Sequence, residues 1–265
     1  MADVIIRQVR RSDAEALAAL WHRVFEDPPE LSRGFLEQLP ELGGGVCAEE
    51  KGELLGAAYA VTDYFLDERR LAYLYAVAVA PEARDRGLGQ ALSRRAAELG
   101  RSLGAGIVCT SPAQQSLFPW YERCIGVRPA LRRREERVES RPGAIPASLS
   151  PEEYGQRREA LLAGRPHVRP GPAALRREKF NCRVCGGDLL AVGEGIAAVY
   201  AEEGLTLIRE LLAPAGEDRL ALAAALGAAL GTQEALLLSP SAEGEPCLAA
   251  DGPLPPDCVW GLIMD

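Results

Sequence analysis

Residues 79–90 read VAPEARDRGLGQ, where a valine-rich strand passes through a turn with two glycines into a predicted helix. The first N–H groups of a helix have no acceptor within it, and the helix dipole adds partial positive charge at the same end. Glycines remove the Cβ atoms that would keep an anion away from this backbone, and Arg84 or Arg86 can add a charged donor. The stretch therefore predicts a pyrophosphate-binding turn before a helix that begins near Leu88.

Two other phosphate-binding motifs do not fit this turn. A Walker loop needs Gly-Lys-Ser/Thr at its end, and no such sequence follows Gly89. The dinucleotide fingerprint needs a third glycine, which would fall at or near Ser93, and no glycine is there. The turn therefore indicates a different phosphate-containing ligand.

The segments around the turn predict a sheet covered by helices. Tyrosines and valines alternate with alanines and leucines along the strand Leu71–Val79, so that one face is small enough to receive something flat. A strand pair joined at Lys51-Gly52 precedes it, and a strand at Ala105–Cys109 follows the helix. Phe118–Arg123 predicts a further short helix.

The turn resembles the Arg/Gln-x-x-Gly-x-Gly/Ala motif of the GNAT superfamily of acetyl-CoA-dependent N-acetyltransferases. Phe118–Arg123, which reads FPWYER, is similar to the aromatic-Tyr-Glu-Lys/Arg segment of that family. The order of elements over residues 4–139 also matches, so the resemblance covers about the first half of the chain. It implies an α/β (α+β) fold with a mixed, mainly antiparallel sheet and helices on both faces.

The resemblance implies an enzyme that moves an acetyl group from acetyl-CoA to a primary amine of a small molecule or peptide. The amine would attack the thioester directly in a ternary complex, with Tyr121 as general acid for the departing thiolate and no metal ion. Backbone groups of Val77, Ala78 and Val79 would face the pantetheine arm and the thioester carbonyl. The pyrophosphate would be held by Arg84, Asp85, Arg86, Gly87, Leu88, Gly89 and Gln90.

Two features depart from the family pattern. In the family pattern a glycine follows the tyrosine after three residues, whereas here it is delayed to Gly126. This delay leaves the direction of the Tyr121 phenol open. The strand Leu71–Val79 also contains no carboxylate to act as general base. The open candidates for the base are water, Glu26, Asp63, Asp67 and the C-terminal carboxylate of Asp265.

Two other function classes remain open on the sequence alone. The missing base and the late glycine are compatible with an acyl-CoA-binding sensor or regulatory protein that does not turn over. A zinc-dependent interaction protein is the other alternative, because Cys182 and Cys185 have the spacing of half a zinc ribbon. Cys247 and Cys258 could complete four ligands but do not form a second tight pair, so free thiols are the simpler interpretation.

Composition excludes other partners. The chain has 265 residues, 48% of them hydrophobic, and a formal net charge of −8. A net acidic chain is a poor ligand for nucleic acid or for an anionic membrane surface. Seven scattered cysteines and the absence of a secretory pattern at the N-terminus predict a cytoplasmic protein. A homodimer is possible, although nothing in the sequence specifies it.

Three regions are predicted along the chain. Residues 1–140 form the acetyltransferase-like domain, residues 141–150 a linker with prolines and a glycine, and residues 151–265 a second, smaller α+β module. Ser150, Pro151 and Glu153 together predict a capped helix start. The second module repeats the pattern of strands, turn and Ala/Leu-rich helix. Two interpretations stay open, a degenerate copy of the first module and a chance recurrence of a common arrangement.

Overall fold

The computed structural model of the chain describes residues 4–263. Its helices are α1 (Ala14–Phe25), α2 (Pro29–Leu42), α3 (Leu88–Ser102), α4 (Phe118–Ile125), α5 (Pro151–Leu161), α6 (Pro172–Val184) and α7 (Arg219–Ala229). Its strands are β1 (Ile5–Gln8), β2 (Gly43–Glu50), β3 (Glu53–Leu66), β4 (Arg69–Val79), β5 (Ile107–Thr110), β6 (Arg128–Glu139), β7 (Ala147–Ser148), β8 (Val168–Pro170), β9 (Asp188–Val192), β10 (Gly195–Glu202), β11 (Leu205–Leu212), β12 (Glu234–Pro240) and β13 (Glu245–Ala250).

The chain divides into two compact units. Unit 1 contains residues 4–130 together with Cys247–Leu254, and unit 2 contains Leu131–Pro246 and Pro255–Ile263. No helix within residues 4–263 is long and apolar enough to cross a bilayer. Each unit has its own group of paired strands and its own buried residues.

The sheet of unit 1 is mixed and mainly antiparallel. Strands β1, β2, β3 and β4 pair antiparallel in that order, and β4 then pairs parallel with β5. The chain returns to unit 1 at Ala249 and Ala250 of β13, which pair antiparallel with β5. This arrangement confirms the predicted fold class.

Helices cover both faces of the sheet in unit 1. On one face, Trp21 of α1 packs against Phe35 of α2 and the rings of Tyr59 and Tyr75, with ring centroids 5.4–5.8 Å from that of Trp21. Aromatic pairs at such distances combine a large buried area with favourable edge contacts. Helix α3 covers the other face, where its apolar residues Leu88, Leu92, Ala96 and Leu99 are buried.

The small face of β4 packs closely against α3 at Ala72. A Cβ built on Gly100 of α3 would lie 2.4 Å from the Cβ of Ala72, so helix and strand are in direct backbone-to-side-chain contact there. The alanine at this position therefore admits α3. Close contact of this kind leaves no room for larger side chains on either element.

The sheet of unit 2 runs in the order β6, β12, β11, β10, β9, β7. Its pairs are antiparallel except β11 with β12, which are parallel. A buried ion pair crosses its core, because Arg158 donates to Glu210 from Nε at 2.9 Å and from Nη2 at 3.0 Å. Tyr154 and the backbone N–H of Gly261 donate to the same carboxylate, so its oxygens are well satisfied.

The capped helix start predicted at Ser150 is confirmed by its hydrogen bonds. The Ser150 hydroxyl accepts from the N–H of Glu153 at 3.1 Å, and the Glu153 carboxylate accepts from the N–H of Ser150 at 2.8 Å. This is the reciprocal capping box that the sequence indicates. The domain bounds 1–140 and 151–265 stay predictions.

Candidate functional site

The N-terminus of α3 presents bare amides. The first hydrogen bond within the helix runs from the N–H of Ala91 to the carbonyl of Gly87 at 3.1 Å. The N–H groups of Leu88, Gly89 and Gln90 therefore have no acceptor within the helix. The helix has no side-chain cap and no acidic residue in its first turn. The dipole of this 15-residue helix is therefore not offset by a carboxylate of its own first turn.

The two glycines of the turn have different roles. Gly87 has a φ of +75°, a left-handed conformation that glycine adopts without strain, and it lets the chain turn into α3. Gly89 has room for a side chain, since the nearest atom to an added Cβ would be in the Trp120 ring at 3.7 Å. The packing of the chain therefore does not require a glycine at position 89, which fits a role in admitting a ligand.

The structure separates the two arginines of the turn. Arg86 forms an ion pair with Glu50, with Nη2 2.7 Å from Oε1, and this contact raises the arginine pKa and lowers that of the glutamate. Arg84 has no ion pair among residues 4–263 and is exposed. Arg84 is thus the arginine of the two that is available to an incoming phosphate.

Strand β4 separates from β5 next to the turn. Pairing between these parallel strands covers only Leu71–Leu74 with Ile107–Thr110. From Tyr75 to Val79, β4 keeps β3 as its neighbour and has no strand partner on its other edge within the described chain. An open strand edge offers unpaired backbone donors and acceptors to a ligand.

A bulge in β4 shapes this open edge. The register with β3 changes between Ala57, which faces Ala78, and Tyr59, which faces Tyr75. Ala76 lies in this bulge and has a φ of +47°, which is unusual for a residue with a side chain. Among the predicted ligand residues, Val77 lies in the bulge beside Ala76, and Ala78 and Val79 follow it on the side toward the turn.

Tyr121 lies at the point where β4 and β5 part. The Thr110 hydroxyl donates to the carbonyl of Leu74 at 3.0 Å, which holds the last strand pair together. Burial raises the pKa of Tyr121 to about 12, and a hydrogen bond with Thr110 acts in the opposite direction. The phenol is therefore neutral at ordinary pH and is positioned by the residue at the fork.

Helix α4 is attached to α3, which sets the position of Tyr121. Arg94 donates from Nε to the carbonyl of Cys124 at 3.0 Å, and the Cys124 thiol lies 3.5 Å from the carbonyl of Gln90. Gly126 has a φ of +77° and donates its N–H to the carbonyl of Glu122, so the late glycine simply ends α4. Because the glycine comes at position 126, α4 continues past Tyr121, and Tyr121 lies within the helix.

The candidate bases differ in position. Asp67 is excluded as a base, because it lies in the β3–β4 turn, about 20 Å along the strand from Leu74 at the fork. Glu26 follows the last residue of α1 with a φ of +61°, and Asp63 lies within β3. Asp265 lies outside the described residues.

The cysteines form no metal centre in the part of the chain that the structure describes. No group of three or more histidine, cysteine, aspartate or glutamate side chains there could hold a metal ion. Cys182 is fully buried, and burial raises its pKa well above the usual value. A thiol in this state is a small apolar side chain rather than a metal ligand.

Sequence reasoning missed two residues at the site, Thr110 and Trp120. The strand containing Thr110 was expected to end at Cys109, and Trp120 was noted only as part of the FPWYER segment. Thr110 fastens the fork, and Trp120 packs edge-on against Tyr121 with ring centroids 4.7 Å apart. The sequence signal for Thr110 is a hydroxyl residue directly after the predicted end of the strand at Cys109.

Comparison with known sequences finds a family match within unit 1. Residues 8–134 match the family described as the Acetyltransferase (GNAT) family. A search of the curated proteins found no match.

Solved structures share the fold over nearly the whole chain. A conserved protein of unknown function from Enterococcus faecalis V583, described as a probable N-acyltransferase, is 13% identical with a TM-score of 0.68, covering 94% of this chain and 72% of that one. A GCN5-related N-acetyltransferase from Kribbella flavida is 17% identical with a TM-score of 0.66, covering 94% and 71%. A putative acetyltransferase from Pyrococcus horikoshii is 18% identical with a TM-score of 0.63, covering 93% and 88%.

Proposed function

Because residues 8–134 form an acetyltransferase domain of the GNAT family, we propose that the protein transfers an acetyl group from acetyl-CoA to a primary amine. The amine belongs to a small molecule or a peptide, and it attacks the thioester directly while both substrates are bound. The observation that supports this most strongly is one continuous arrangement. The open edge of β4 leads from the fork at Thr110 to the uncapped N-terminus of α3.

The described residues fit coenzyme A at both ends of that arrangement. The amides of Leu88, Gly89 and Gln90 suit the pyrophosphate, with Arg84 as the charged donor at the same end. The free edge at Val77, Ala78 and Val79 suits the amide groups of the pantetheine arm, which pair with backbone as a strand would. A backbone N–H of this edge can also stabilise the oxyanion that develops on the thioester carbonyl.

The transfer step needs few side chains. A bond forms between the amine nitrogen and the carbonyl carbon as the carbon–sulfur bond breaks, and the electron pair of that bond leaves on sulfur. Tyr121 donates a hydrogen bond to the departing thiolate, and the proton lost by the amine passes to water. Because β4 has no carboxylate, water is the base most consistent with the described residues.

The proposed acceptor is a primary amine. The formal net charge of −8 favours a cationic acceptor through long-range attraction. A cytoplasmic location, the absence of nucleic-acid and membrane partners, and a homodimer remain predictions. Light scattering on purified protein tests the last of these.

The test of function combines binding with turnover. Calorimetric titration of the full chain with coenzyme A is expected to show one saturable site. Release of free thiol from acetyl-CoA is then measured against a panel of polyamines, aminoglycosides, amino acids and peptides. Amine-dependent thiol release, with a product heavier by one acetyl group in mass spectrometry, is the expected result.

Two outcomes contradict the proposal in different ways. Saturable coenzyme binding without thiol release from any amine would favour the acyl-CoA sensor instead. Absence of coenzyme binding would reject the assignment of the turn and of the open strand edge together. Zinc found in freshly purified, chelator-washed protein would revive the metal-dependent alternative.

A further inference from the structure

Unit 2 repeats the strand connections of unit 1. Strands β9, β10 and β11 pair antiparallel in sequence, and β11 pairs parallel with β12 after passing through α7. Strands β2, β3, β4 and β5 follow the same order, with α3 between the parallel pair. The correspondence supports the interpretation of unit 2 as a second copy of the same arrangement.

The second copy also has a fork between its parallel strands. Pairing of β11 with β12 covers Leu205–Ile208 with Glu234–Leu237 and then ends. The register of β11 with β10 changes between Ala198, which faces Glu210, and Val199, which faces Ile208. Arg209 is therefore the bulged residue, as Ala76 lies in the bulge of β4.

The helix end beside this second fork is closed to phosphate. The Asp218 carboxylate accepts from the N–H of Leu220 at 3.0 Å and from the N–H of Ala221 at 3.1 Å. This carboxylate satisfies the amides at the start of α7 and places a negative charge at the helix N-terminus. The second copy therefore cannot hold a pyrophosphate on its helix as the first can.

A cavity of about 130 Å³ occupies the second fork instead. That volume equals about four water molecules, so it admits a small ion but not a coenzyme. The ends of β11 and β12 line it, together with the end of α5 and the start of α7. Its charged lining residues are Arg165, Arg209, Arg219 and Glu210.

The lining of the cavity has an excess of positive charge. Its one carboxylate, Glu210, is already neutralised by Arg158 and bonded by Tyr154 and Gly261. Within residues 4–263, neither Arg165 nor Arg219 has a carboxylate within ion-pair distance. Two guanidinium groups thus meet at a polar cavity without a direct counter-ion from the described chain.

The hydrogen bonding of Arg219 is a second, independent observation that points to a ligand in this cavity. Its Nη2 donates to the carbonyl of Leu211 at 3.2 Å and to the Ser239 hydroxyl at 3.3 Å, whereas its buried Nε has no partner. Burial lowers the Arg219 pKa. The charge of Glu136 opposes this effect, whereas the charges of Arg134 and Arg165 add to it. A buried donor without a partner in a native fold commonly indicates an ion or an ordered water.

The nearest carboxylate to Arg219 is engaged elsewhere. Glu136 pairs with Arg134 at 3.2 Å and reaches Arg219 only through the hydroxyl of Ser239, which donates to it at 3.2 Å. We propose that the cavity at the β11–β12 fork binds a small oxyanion, a phosphate or carboxylate group, between Arg165 and Arg219. The second copy has thereby exchanged a coenzyme cleft for an anion site.

The test measures binding of radiolabelled inorganic phosphate, and in a parallel series of radiolabelled acetate, to the full chain by equilibrium dialysis at constant ionic strength. Saturating coenzyme A is included in one series to fill the site proposed in unit 1 and is omitted in another. One phosphate per chain is expected in the presence of coenzyme A. Unlabelled sulfate and acetate compete in separate arms, which distinguishes a tetrahedral dianion from a carboxylate.

Three variants locate the site. Arg165→Gln and Arg219→Gln are each expected to weaken phosphate binding about tenfold or more, because each removes a charged donor. Arg137→Gln, an exposed arginine of the same unit, should leave binding unchanged. Arg165 is itself exposed, so its loss should not unfold the chain, and circular dichroism checks this for all three.

The proposal is overturned if neither phosphate nor acetate binds saturably at millimolar concentration, or if binding is the same in all three variants. Phosphate binding that coenzyme A abolishes completely would assign the ion to unit 1 and also overturn it. Because the variants lie in unit 2, either outcome is independent of whether unit 1 transfers an acetyl group. Competition by acetate but not sulfate would support the carboxylate form of the proposal.

Discussion

Tyr121 is a weaker acid in the structure than its sequence context suggests. An unperturbed tyrosine has a pKa of about 10 and a thiol a pKa of about 8.5. Burial raises the pKa of Tyr121 to about 12, so complete proton transfer to the departing thiolate is unfavourable. Its contribution is therefore expected to be a hydrogen bond to developing negative charge on sulfur.

We expect Tyr121→Phe to lower kcat about tenfold to a hundredfold, because a hydrogen bond to the charge developing on sulfur is lost, and to leave coenzyme affinity nearly unchanged. Stopped-flow thiol release and calorimetry measure the two quantities. Tyr59→Phe, which removes another buried phenol, is the matched control and should change neither strongly. Equal losses of kcat and of coenzyme affinity would contradict a role limited to the transfer step.

The same residue predicts a pH profile. A group whose pKa is raised keeps its proton to higher pH, so the protonated phenol is fully present below pH 10 and is lost as pH rises through about 12. Between pH 6 and 10, wild type and Tyr121→Phe should therefore have profiles of the same shape. An alkaline limb near pH 9 that disappears in the variant would show that Tyr121 titrates there.

At the scale of elements, α3 combines a packing end and a binding end. Gly100 contacts Ala72 so closely that a Cβ would collide, whereas Gly89 has room for one. Gly100 allows the close contact between helix and sheet. Gly89 leaves the backbone accessible at the start of the helix. The two ends of one helix can therefore be altered separately.

Gln90→Glu tests the binding end with a change of charge alone. A carboxylate in the first turn of α3 should stabilise the helix by about 0.3–1 kcal/mol through its dipole, and repel a pyrophosphate at the same place. Coenzyme affinity should fall several-fold in calorimetry, with no loss of thermal stability. Gln156→Glu on the exposed side of α5 is the control. Unchanged affinity in Gln90→Glu would argue against phosphate binding at α3.

At the scale of the molecule, the buried pair Arg158–Glu210 is the feature whose loss should matter most to unit 2. Arg158 is 0% and Glu210 2% exposed. Glu210→Gln removes the buried charge partner of Arg158 and leaves only Glu159, 40% exposed and 3.6 Å away. The free energy of unfolding should therefore fall by about 3 kcal/mol, the lower end of the range for a broken buried pair. Denaturant titration followed by circular dichroism measures this change.

Glu234→Gln provides the matched control for that substitution. It removes the partner of Arg137 in a pair whose side chains are 61% and 49% exposed. Surface pairs of this kind contribute about 0–1 kcal/mol, so little change is expected. Similar effects of the two substitutions would mean that the burial of Arg158 and Glu210 is not maintained in solution.

The sequence alone determined the features that depend on local order along the chain. The glycine turn, the alternation of β4 and the reciprocal cap at Ser150 are set by neighbouring residues, because dihedral preferences and short-range hydrogen bonds act over a few positions. These local patterns were sufficient to predict the family and the fold of unit 1.

Only the tertiary structure decided where distant residues meet. The fork that Thr110 fastens, the pairing of Arg86 with Glu50 and the return of Ala249 to β5 join positions far apart in sequence. The burial of Tyr121 and of Arg158 likewise depends on what packs around them. Pairing register and desolvation are properties of the assembled chain, so no local pattern could specify the strength of the acid or the anion cavity at the second fork.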